Sequence, residues 1–161
     1  MSIVIDKARP EDLERVRAIA GEVFADYGDY AALLSRFFAA RGVSTFVARH
    51  GAEVVGFIML GFLPWSGGRE DGSPWIGDLL SIAVAPGRQG RGVGRQLLQQ
   101  AFALVEEMAD WRDIREVQLT CAAGNERALE FFRRQGFVVS DPDHGRYSSG
   151  QPAVRMSRPY P

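Results

Sequence analysis

The chain has 161 residues, of which 46% are hydrophobic and 24% are charged, as in an average folded domain. With 19 lysines and arginines against 20 aspartates and glutamates its net charge is -1, which argues against a nucleic-acid binder that relies on a broad basic surface. One cysteine excludes an internal disulfide and a zinc site of several thiolates, and no apolar run reaches the ~18 residues of a membrane span. From the length we expect one domain over residues 1–161. Residues 1–10 lack the apolar region of a signal peptide, so we expect a cytoplasmic location, with neither a membrane nor a nucleic acid as partner.

The spacing of apolar residues predicts seven strands and four helices. In chain order they are a strand over 3–5, a helix from Pro10, a helix over 30–40, strands over 45–49, 54–63 and 76–84, a long helix from Val93, a strand over 117–121, a helix over 125–135, and strands over 137–139 and 153–157. A strand, a long helix and a strand in succession imply a right-handed crossover, with the strands 76–84 and 117–121 parallel. The fold class is therefore a mixed α/β fold.

Two helices and one loop give more specific expectations. Gly136 is placed for a left-handed helix C-cap, with Phe137 as the hydrophobic residue that accompanies it. The segment 64–74 contains three glycines and is interpreted as a loop of the same domain. Four apolar residues of the second helix are expected to face the core: Leu33, Leu34, Phe37 and Phe38.

The segment 82–94, IAVAPGRQGRGVG, joins a strand to the long helix and is the most informative part of the sequence. Glycines at 90, 92 and 94 remove side chains, so that backbone N–H groups can converge on an anion at the positive end of the helix. Arginines at 88, 91 and 95 add mobile positive charge. A dinucleotide fingerprint would require glycine in place of Arg95, and a P-loop would require lysine in place of Val93. We therefore predict a phosphate or pyrophosphate site of another kind.

Two motifs resemble the GNAT superfamily of acetyl-CoA-dependent N-acetyltransferases. The segment 89–94, QGRGVG, matches the Q/R-x-x-G-x-G/A pyrophosphate loop of that family. Residues of the segment 125–137 resemble its N-x-x-A-x-x-F-Y-x-x-x-G-F helix, and the order of elements agrees over nearly the whole chain. The resemblance implies a central, mostly antiparallel sheet with one parallel strand pair splayed around the cofactor and helices on both faces.

The resemblance also implies acetyl-CoA as the cofactor and a set of residues that hold it. The main chain of the glycine turn would bind the pyrophosphate, while the pantetheine arm would pair with the preceding strand, where a backbone N–H polarises the thioester carbonyl. Asn125 would contact the coenzyme and cap its helix. The cofactor-binding residues implied are Ile82, Ala83, Val84, Gln89, Gly90, Arg91, Gly92, Val93, Gly94, Arg95, Asn125 and Phe132.

The implied reaction is direct attack of a neutral primary amine, of a small molecule or a peptide, on the thioester in a ternary complex. Asp78 is the candidate base, because it aligns with an acidic residue of the family and because strand alternation groups it with Leu80, Ile82 and Val84. It would act directly or, since aspartate is shorter than the glutamate that the family more often has there, through a water. The family often has tyrosine as the general acid where this chain has Phe132, and Tyr147 is the possible replacement. Phe132 leaves open an acyl-CoA-binding module with little catalysis, and a transferase of another acyl group is also open.

The remaining candidates concern the acceptor and competing chemistry. Cys121, beside the expected pantetheine slot, would allow a covalent acyl intermediate, although packing is the favoured interpretation. His50 and His144 have no partners at ligand spacing, so no metal site is proposed. A homodimer is possible. Aromatic residues beside carboxylates suit a cationic amine, and those taken as substrate-binding are Tyr27, Tyr30, Trp65 and Trp75.

Overall fold

The computed structural model describes residues 2–65 and 74–160, so most of the predicted glycine-containing loop, with Gly67, Gly68 and Gly72, lies outside the described residues. The strands are β1 (Val4–Lys7), β2 (Val43–His50), β3 (Glu53–Pro64), β4 (Trp75–Val84), β5 (Ile114–Ala122), β6 (Val138–Asp141) and β7 (Ala153–Pro159). The helices are α1 (Leu13–Val23), α2 (Tyr30–Ala39), α3 (Val93–Met108) and α4 (Glu126–Arg134).

The described strands form one mixed sheet in the order β1-β2-β3-β4-β5-β7-β6. β4 and β5 are parallel, and every other neighbouring pair is antiparallel. The predicted fold class is confirmed, including the parallel pairing of the two strands that precede and follow the long helix in the chain. Most predicted elements lie within a few residues of the observed ones.

Helices cover both faces of the sheet and define two cores. The α3-side core contains residues of α3 and α4, including Val93, Leu97, Leu98, Ala101, Val105, Leu129 and Phe132. The α1-side core contains residues of α1 and α2, namely Val16, Ile19, Ala20 and Leu34.

One prediction about the burial of residues in helix α2 is wrong. Leu34 is fully buried, but Leu33 is 37% exposed, so the expectation that both face the core is wrong. Successive residues of a helix point about 100° apart, and a short helix on a sheet buries one stripe only. Phe37 and Phe38 are partly buried against the α1-side core.

The end of α4 has the predicted C-cap. Gly136 has φ 91°, and its N–H donates to the Arg133 carbonyl at 3.0 Å. The Phe137 N–H donates to the Phe132 carbonyl, also at 3.0 Å, which completes a Schellman motif. The Phe137 and Phe132 rings lie 5.8 Å apart, so the cap fixes both side chains in the α3-side core. Because Phe137 belongs to this cap, the strand predicted to begin at residue 137 begins one residue later, with β6 at Val138.

The parallel pair separates along its length. Backbone pairing between β4 and β5 runs from Trp75 opposite Ile114 to Leu79 opposite Leu119, and the register extends no further. Because both strands continue beyond that point, their carboxyl-terminal halves are separated by a gap in the sheet.

A β-bulge in β4 lies at the start of this gap. On the β3 side, Leu79 pairs with Leu60 and Ser81 pairs with Met59, which leaves Leu80 as an extra residue. Such a bulge bends the strand and reverses the faces of the residues that follow it.

The bulge overturns the predicted alternation along β4. Leu80 packs against the α1-side core, whereas Ile82 and Val84 pack against the α3-side core. The prediction that Asp78, Leu80, Ile82 and Val84 share one face is therefore wrong, because the extra residue shifts the period-two pattern.

A buried ion pair ties the start of the chain to the sheet. Arg49 donates to both carboxylate oxygens of Asp12, at 3.0 and 2.6 Å, and its Nε donates to Asp6 at 3.2 Å. The Arg9 N–H donates to Asp12 at 2.8 Å. Hydrogen bonds from Arg49, the largest effect, hold the pKa of Asp12 below its usual range despite burial.

We expect Asp12→Ala to lower the free energy of unfolding by about 3–5 kcal/mol, because it leaves the buried Arg49 without its main partner. In the unsubstituted protein this stabilisation is full above the unfolded pKa of aspartate, about 4, and is lost as pH falls through the lower folded pKa. Denaturant unfolding between pH 7 and 2.5 measures both effects.

Glu14→Ala is the matched control, since Glu14 forms only an exposed ion pair with Arg17 at 4.0 Å. Equal losses of stability in Asp12→Ala and Glu14→Ala would contradict the stabilising role of the Asp12–Arg49 ion pair.

Candidate active site

The gap between β4 and β5 opens into a cleft of about 900 Å³. Nearly all residues predicted to hold the cofactor line it: Ile82, Ala83, Val84, Gln89, Gly90, Gly92, Val93, Gly94, Arg95, Asn125 and Phe132. Arg91 is exposed on the same turn and is not among the lining residues.

The edge of β4 presents backbone groups to this cleft. The Ala85 N–H donates to the Val55 carbonyl of β3 at 2.8 Å. Since successive residues of a strand direct their N–H and C=O groups to opposite edges, those of Val84 and Ile82 point away from β3. The Val84 carbonyl confirms this direction, because it accepts a hydrogen bond from Gln89 Nε2 at 2.9 Å. The cleft therefore has a strand edge that is able to pair with an extended ligand.

The glycine turn has the backbone conformation that an anion site needs. Gly87, Gly90 and Gly92 have φ angles of 85°, 76° and 83°, and a Cβ atom at any of them would meet nothing within 4 Å. Glycine is thus favoured at these positions by the left-handed backbone conformation and not by a lack of space for a side chain. Gly92 caps α3 without a side-chain hydrogen bond, so the first N–H groups of the helix remain available to a ligand.

The arginines of the turn have different roles. Arg88 donates to Glu53 at 2.9 Å and lies 3.1 Å from His50 Nδ1, so it anchors the turn to the β2–β3 hairpin. The prediction that it supplies mobile charge is wrong. Arg91 and Arg95 are exposed and form no ion pair within residues 2–65 and 74–160, which leaves their charge to a ligand.

The α4 side of the cleft combines a polar cap with an apolar wall. The Asn125 side chain accepts the Ala128 N–H at 3.2 Å and so caps α4 while lining the cleft. Phe132 is 6% exposed and belongs to the α3-side core, and its ring has no proton to donate.

Three tyrosines line the other end of the cleft. The Tyr147 ring lies 5.2 Å from that of Tyr27 and 6.1 Å from that of Tyr30. The Tyr147 and Tyr30 phenols are close enough for each to affect the pKa of the other. Burial is the main reason that the pKa of each of these two phenols is raised, so both are protonated at neutral pH.

The loop that carries Tyr147, residues 142–152, docks on the turn between α1 and α2. Gln151 Nε2 donates to the Asp26 carbonyl at 3.0 Å, and the Ser148 hydroxyl donates to the Tyr27 carbonyl at 3.4 Å. Gly28 has φ 113°, and a Cβ there would overlap Ser148 Oγ. This close approach sets the position of Tyr147 over the cleft.

Besides Arg91, three predicted site residues are not among those that line the cleft. Trp65 and Trp75 lie at the opposite end of β4, where the Arg112 guanidinium covers the Trp75 ring at 4.5 Å. Asp78 is partly buried on the side of β4 opposite the α3-side core, near the bulge. Burial raises the pKa of its carboxyl, and the charges of His144 and Arg155 partly offset this.

Cys121 faces the cleft as a protonated thiol. Its side chain is buried, and burial raises its pKa to about 11. At neutral pH almost no thiolate is present, which disfavours a nucleophilic role.

The described residues hold no group of three or more His, Cys, Asp or Glu side chains arranged to bind a metal ion. Among the helices that the structure describes, none is long and apolar enough to cross a membrane.

The sequence reasoning missed several polar residues of the cleft. Ser81 and Thr120 line it where the strands separate, and Arg127 and Arg134 line its α4 side. Polar residues near the ends of apolar strands were the available signal for the first two. The arginines required knowledge of how α4 is oriented.

The chain belongs to the acetyltransferase (GNAT) family, whose model matches residues 5–137. It is 27% identical over 158 residues to a mycothiol acetyltransferase of Propionibacterium freudenreichii, a match that covers 92% of this chain and 47% of that protein. It is 33% identical over 87 residues to a streptothricin acetyltransferase of Streptomyces lavendulae, covering 50% of this chain and 42% of that protein. The chain thus spans about half the length of these two relatives.

Solved structures share the fold. Arabidopsis thaliana NAA60 in complex with a bisubstrate analogue has a TM-score of 0.81 at 16% identity, with 99% of this chain and 100% of that chain covered. Nourseothricin acetyltransferase has a TM-score of 0.74 at 22% identity, with 100% of both chains covered.

We expect Gly90→Ala to weaken coenzyme A binding at least about 10-fold, because a residue with a Cβ disfavours this left-handed conformation by about 1–2 kcal/mol and the turn must change shape. Isothermal titration with coenzyme A measures the affinity.

Gly21→Ala, at an exposed glycine of α1 with open space around it, is the control. It should leave the affinity unchanged and slightly stabilise the helix. Wild-type affinity in the Gly90→Ala variant would show that the turn does not bind the ligand.

Proposed function

We propose that this chain is a single N-acetyltransferase domain that moves an acetyl group from acetyl-CoA to a primary amine in a ternary complex. The observation that carries the proposal is the gap between β4 and β5, with a free strand edge along one wall and a glycine turn at its mouth. We also propose a cytoplasmic location, which suits a chain with one unpaired cysteine.

The residues of the cleft fit acetyl-CoA in shape and charge. Main-chain amides from Gln89 to Gly94 and the first turn of α3 bind the pyrophosphate, and Arg91 and Arg95 neutralise its charge. The free edge of β4 at Ile82 and Val84 pairs with the amide groups of the pantetheine arm. Asn125 and Phe132 form the opposite wall.

The strand edge also activates the acyl group. Acetyl-CoA supplies a thioester whose carbonyl oxygen gains negative charge as the amine attacks. A backbone N–H of β4 beside the bulge stabilises that charge, and a donor placed in this way lowers a barrier by about 3–4 kcal/mol. The β4 backbone is held by β3 on its other edge, so the donor is fixed before the substrate arrives.

We assign the removal of the amine proton to Asp78, acting through a water. Its carboxyl lies on the face of the sheet opposite the α3-side core and has no hydrogen-bond partner in the described part of the chain. Burial raises its pKa, which makes it a stronger base than an exposed aspartate.

We assign the protonation of the leaving thiolate to Tyr147. Tyr147 lines the cleft, as does Cys121, its hydroxyl is protonated at neutral pH, and its ring packs against those of Tyr27 and Tyr30. Phe132, at the family's usual tyrosine position, shapes the wall instead. Tyr27 and Tyr30 contribute aromatic surface to the acceptor end, which suits an amine that arrives as a cation.

Trp65 and Trp75 lie at the other end of β4 from the glycine turn, and their role in substrate binding stays a prediction. A homodimer that buries Trp65, which is 37% exposed, stays a prediction.

Acetyl-CoA at 100 times its dissociation constant should stabilise the native state by about 2.7 kcal/mol, which corresponds to a rise in melting temperature of roughly 5–10 °C. Thermal unfolding with acetyl-CoA, coenzyme A and NAD measures this, and NAD should have no effect. An amine screen that detects thiol release then tests turnover. A thermal shift without thiol release from any amine would indicate a coenzyme-binding module.

Tyr147→Phe should lower kcat about 10- to 100-fold with little change in the affinity for acetyl-CoA, because the ring stays and only the proton donor is lost. Steady-state kinetics at saturating substrates measures the effect. Tyr160→Phe, outside the cleft, is the control. An unchanged kcat in Tyr147→Phe would remove this tyrosine from the chemistry.

A further inference from the structure

The sheet has a polar surface next to the acceptor end of the cleft. Leu119 and Met156 belong to the α3-side core, so their neighbours along β5 and β7 face the other way. Gln118 pairs with Ser157 across these strands, and Thr120 pairs with Arg155. Directly opposite residues share a face, so these polar side chains line one surface.

This surface adjoins the proposed site of reaction. Asp78 is the partner of Gln118 on β4, and Leu79, which follows it, lines the cleft. Thr120, opposite Arg155, also lines the cleft. The loop that carries Tyr147 also carries His144, whose N–H donates to the Ala153 carbonyl of β7 at 2.9 Å.

Within residues 2–65 and 74–160, the Arg155 side chain has neither a hydrogen-bond partner nor an ion-pair partner. Its Nε atom is buried and forms no hydrogen bond. Its charge acts on the carboxyls of Asp78 and Asp141, but within the described residues it forms an ion pair with neither. Asp141 is engaged by His144, with Nδ1 and Oδ2 3.2 Å apart.

A guanidinium cannot lose its proton, and its donors require acceptors when they are removed from water. The planar group matches a carboxylate, which accepts two parallel hydrogen bonds from it. Asp78 provides the complementary feature, a carboxylate without a hydrogen-bond partner that attracts an ammonium group. A group that can bind an anion and a group that can bind a cation thus share the polar surface that adjoins the cleft.

We propose that the acceptor is an amino acid, or a small molecule that similarly carries a carboxylate beside its amine, with the carboxylate bound by Arg155 and the amine placed between Asp78 and the thioester. This assignment rests on the proposed acetyltransferase function. It distinguishes the acceptor from a peptide N-terminus, in which an amide replaces the nearby carboxylate.

The test compares α-amino acids with the amines that lack only their carboxylate, such as phenylalanine with phenethylamine and lysine with cadaverine. Acetyl transfer by the full chain is followed by thiol release at saturating acetyl-CoA. We expect kcat/KM to favour the amino acid by about 10- to 100-fold, the range for one charge-assisted paired hydrogen bond.

Arg155→Met should remove this preference by raising KM for amino acids, so that the ratio of kcat/KM between an amino acid and its plain amine falls to about 1. Loss of the Arg155 charge beside Asp78 acts on both substrates and cancels in this ratio. Arg155→Lys, which keeps the charge but not the planar fork, should give a ratio between those of wild type and Arg155→Met. Arg115→Met, at an exposed residue of β5, is the control. Thermal unfolding of each variant separates loss of binding from loss of folding.

The outcomes separate this inference from the proposed function. Acetylation of plain amines as efficiently as of amino acids, or an equal loss for both in Arg155→Met, would overturn the amino-acid assignment and leave the acetyltransferase function intact. Binding of acetyl-CoA without acetylation of any amine would overturn the proposed function and this inference with it.

Discussion

The separation of β4 from β5 after Leu79 is the constraint on which the rest of the structure depends. Backbone N–H and C=O groups inside a sheet need partners, and beyond this point those on the facing edges have none in the partner strand. The Leu80 bulge bends β4 at the same place. The sheet thus leaves backbone hydrogen-bonding capacity free at its centre, and an extended ligand with amide groups is the natural partner for it.

The two ends of the cleft differ in chemistry, and in the proposed function each end receives a different substrate. At one end lie positive-φ glycines, the α3 N-terminus and Arg95, an arrangement that suits the proposed binding of a pyrophosphate. At the other end three tyrosines line the cleft, and the proposed function places the entry of the amine beside them. Anchoring of Arg88 by Glu53 ties the turn to the hairpin. The anion end is therefore connected to the sheet before a ligand binds.

Local chemistry explains which features the sequence predicts. The glycine turn, the Asn125 cap and the Gly136 C-cap each depend on a few consecutive residues, and all three have the expected geometry. The fold class follows from the order of elements. The pattern of apolar residues is likewise sufficient to place the parallel pair on either side of α3.

Features that depend on distant partners were not predictable in this way. The bulge changes the face of every residue after Leu80, and nothing in the local alternation signals it. Arg88 is an anchor only because Glu53 lies beside it in space. The unpartnered Arg155 becomes visible only when β7 is placed next to β5. Tertiary contacts, and not residue type, decide these roles.

Hydrogen–deuterium exchange of the β4 amides, with and without acetyl-CoA, tests the central claim most directly. The Ile82 and Val84 N–H groups point into the cleft, so they should exchange rapidly in the free protein and become protected in the complex. The Ala85 N–H, bonded to Val55, should exchange slowly in both states. Protection of Ile82 and Val84 on binding is the predicted result. Unchanged exchange at these two amides under saturating acetyl-CoA would contradict the account.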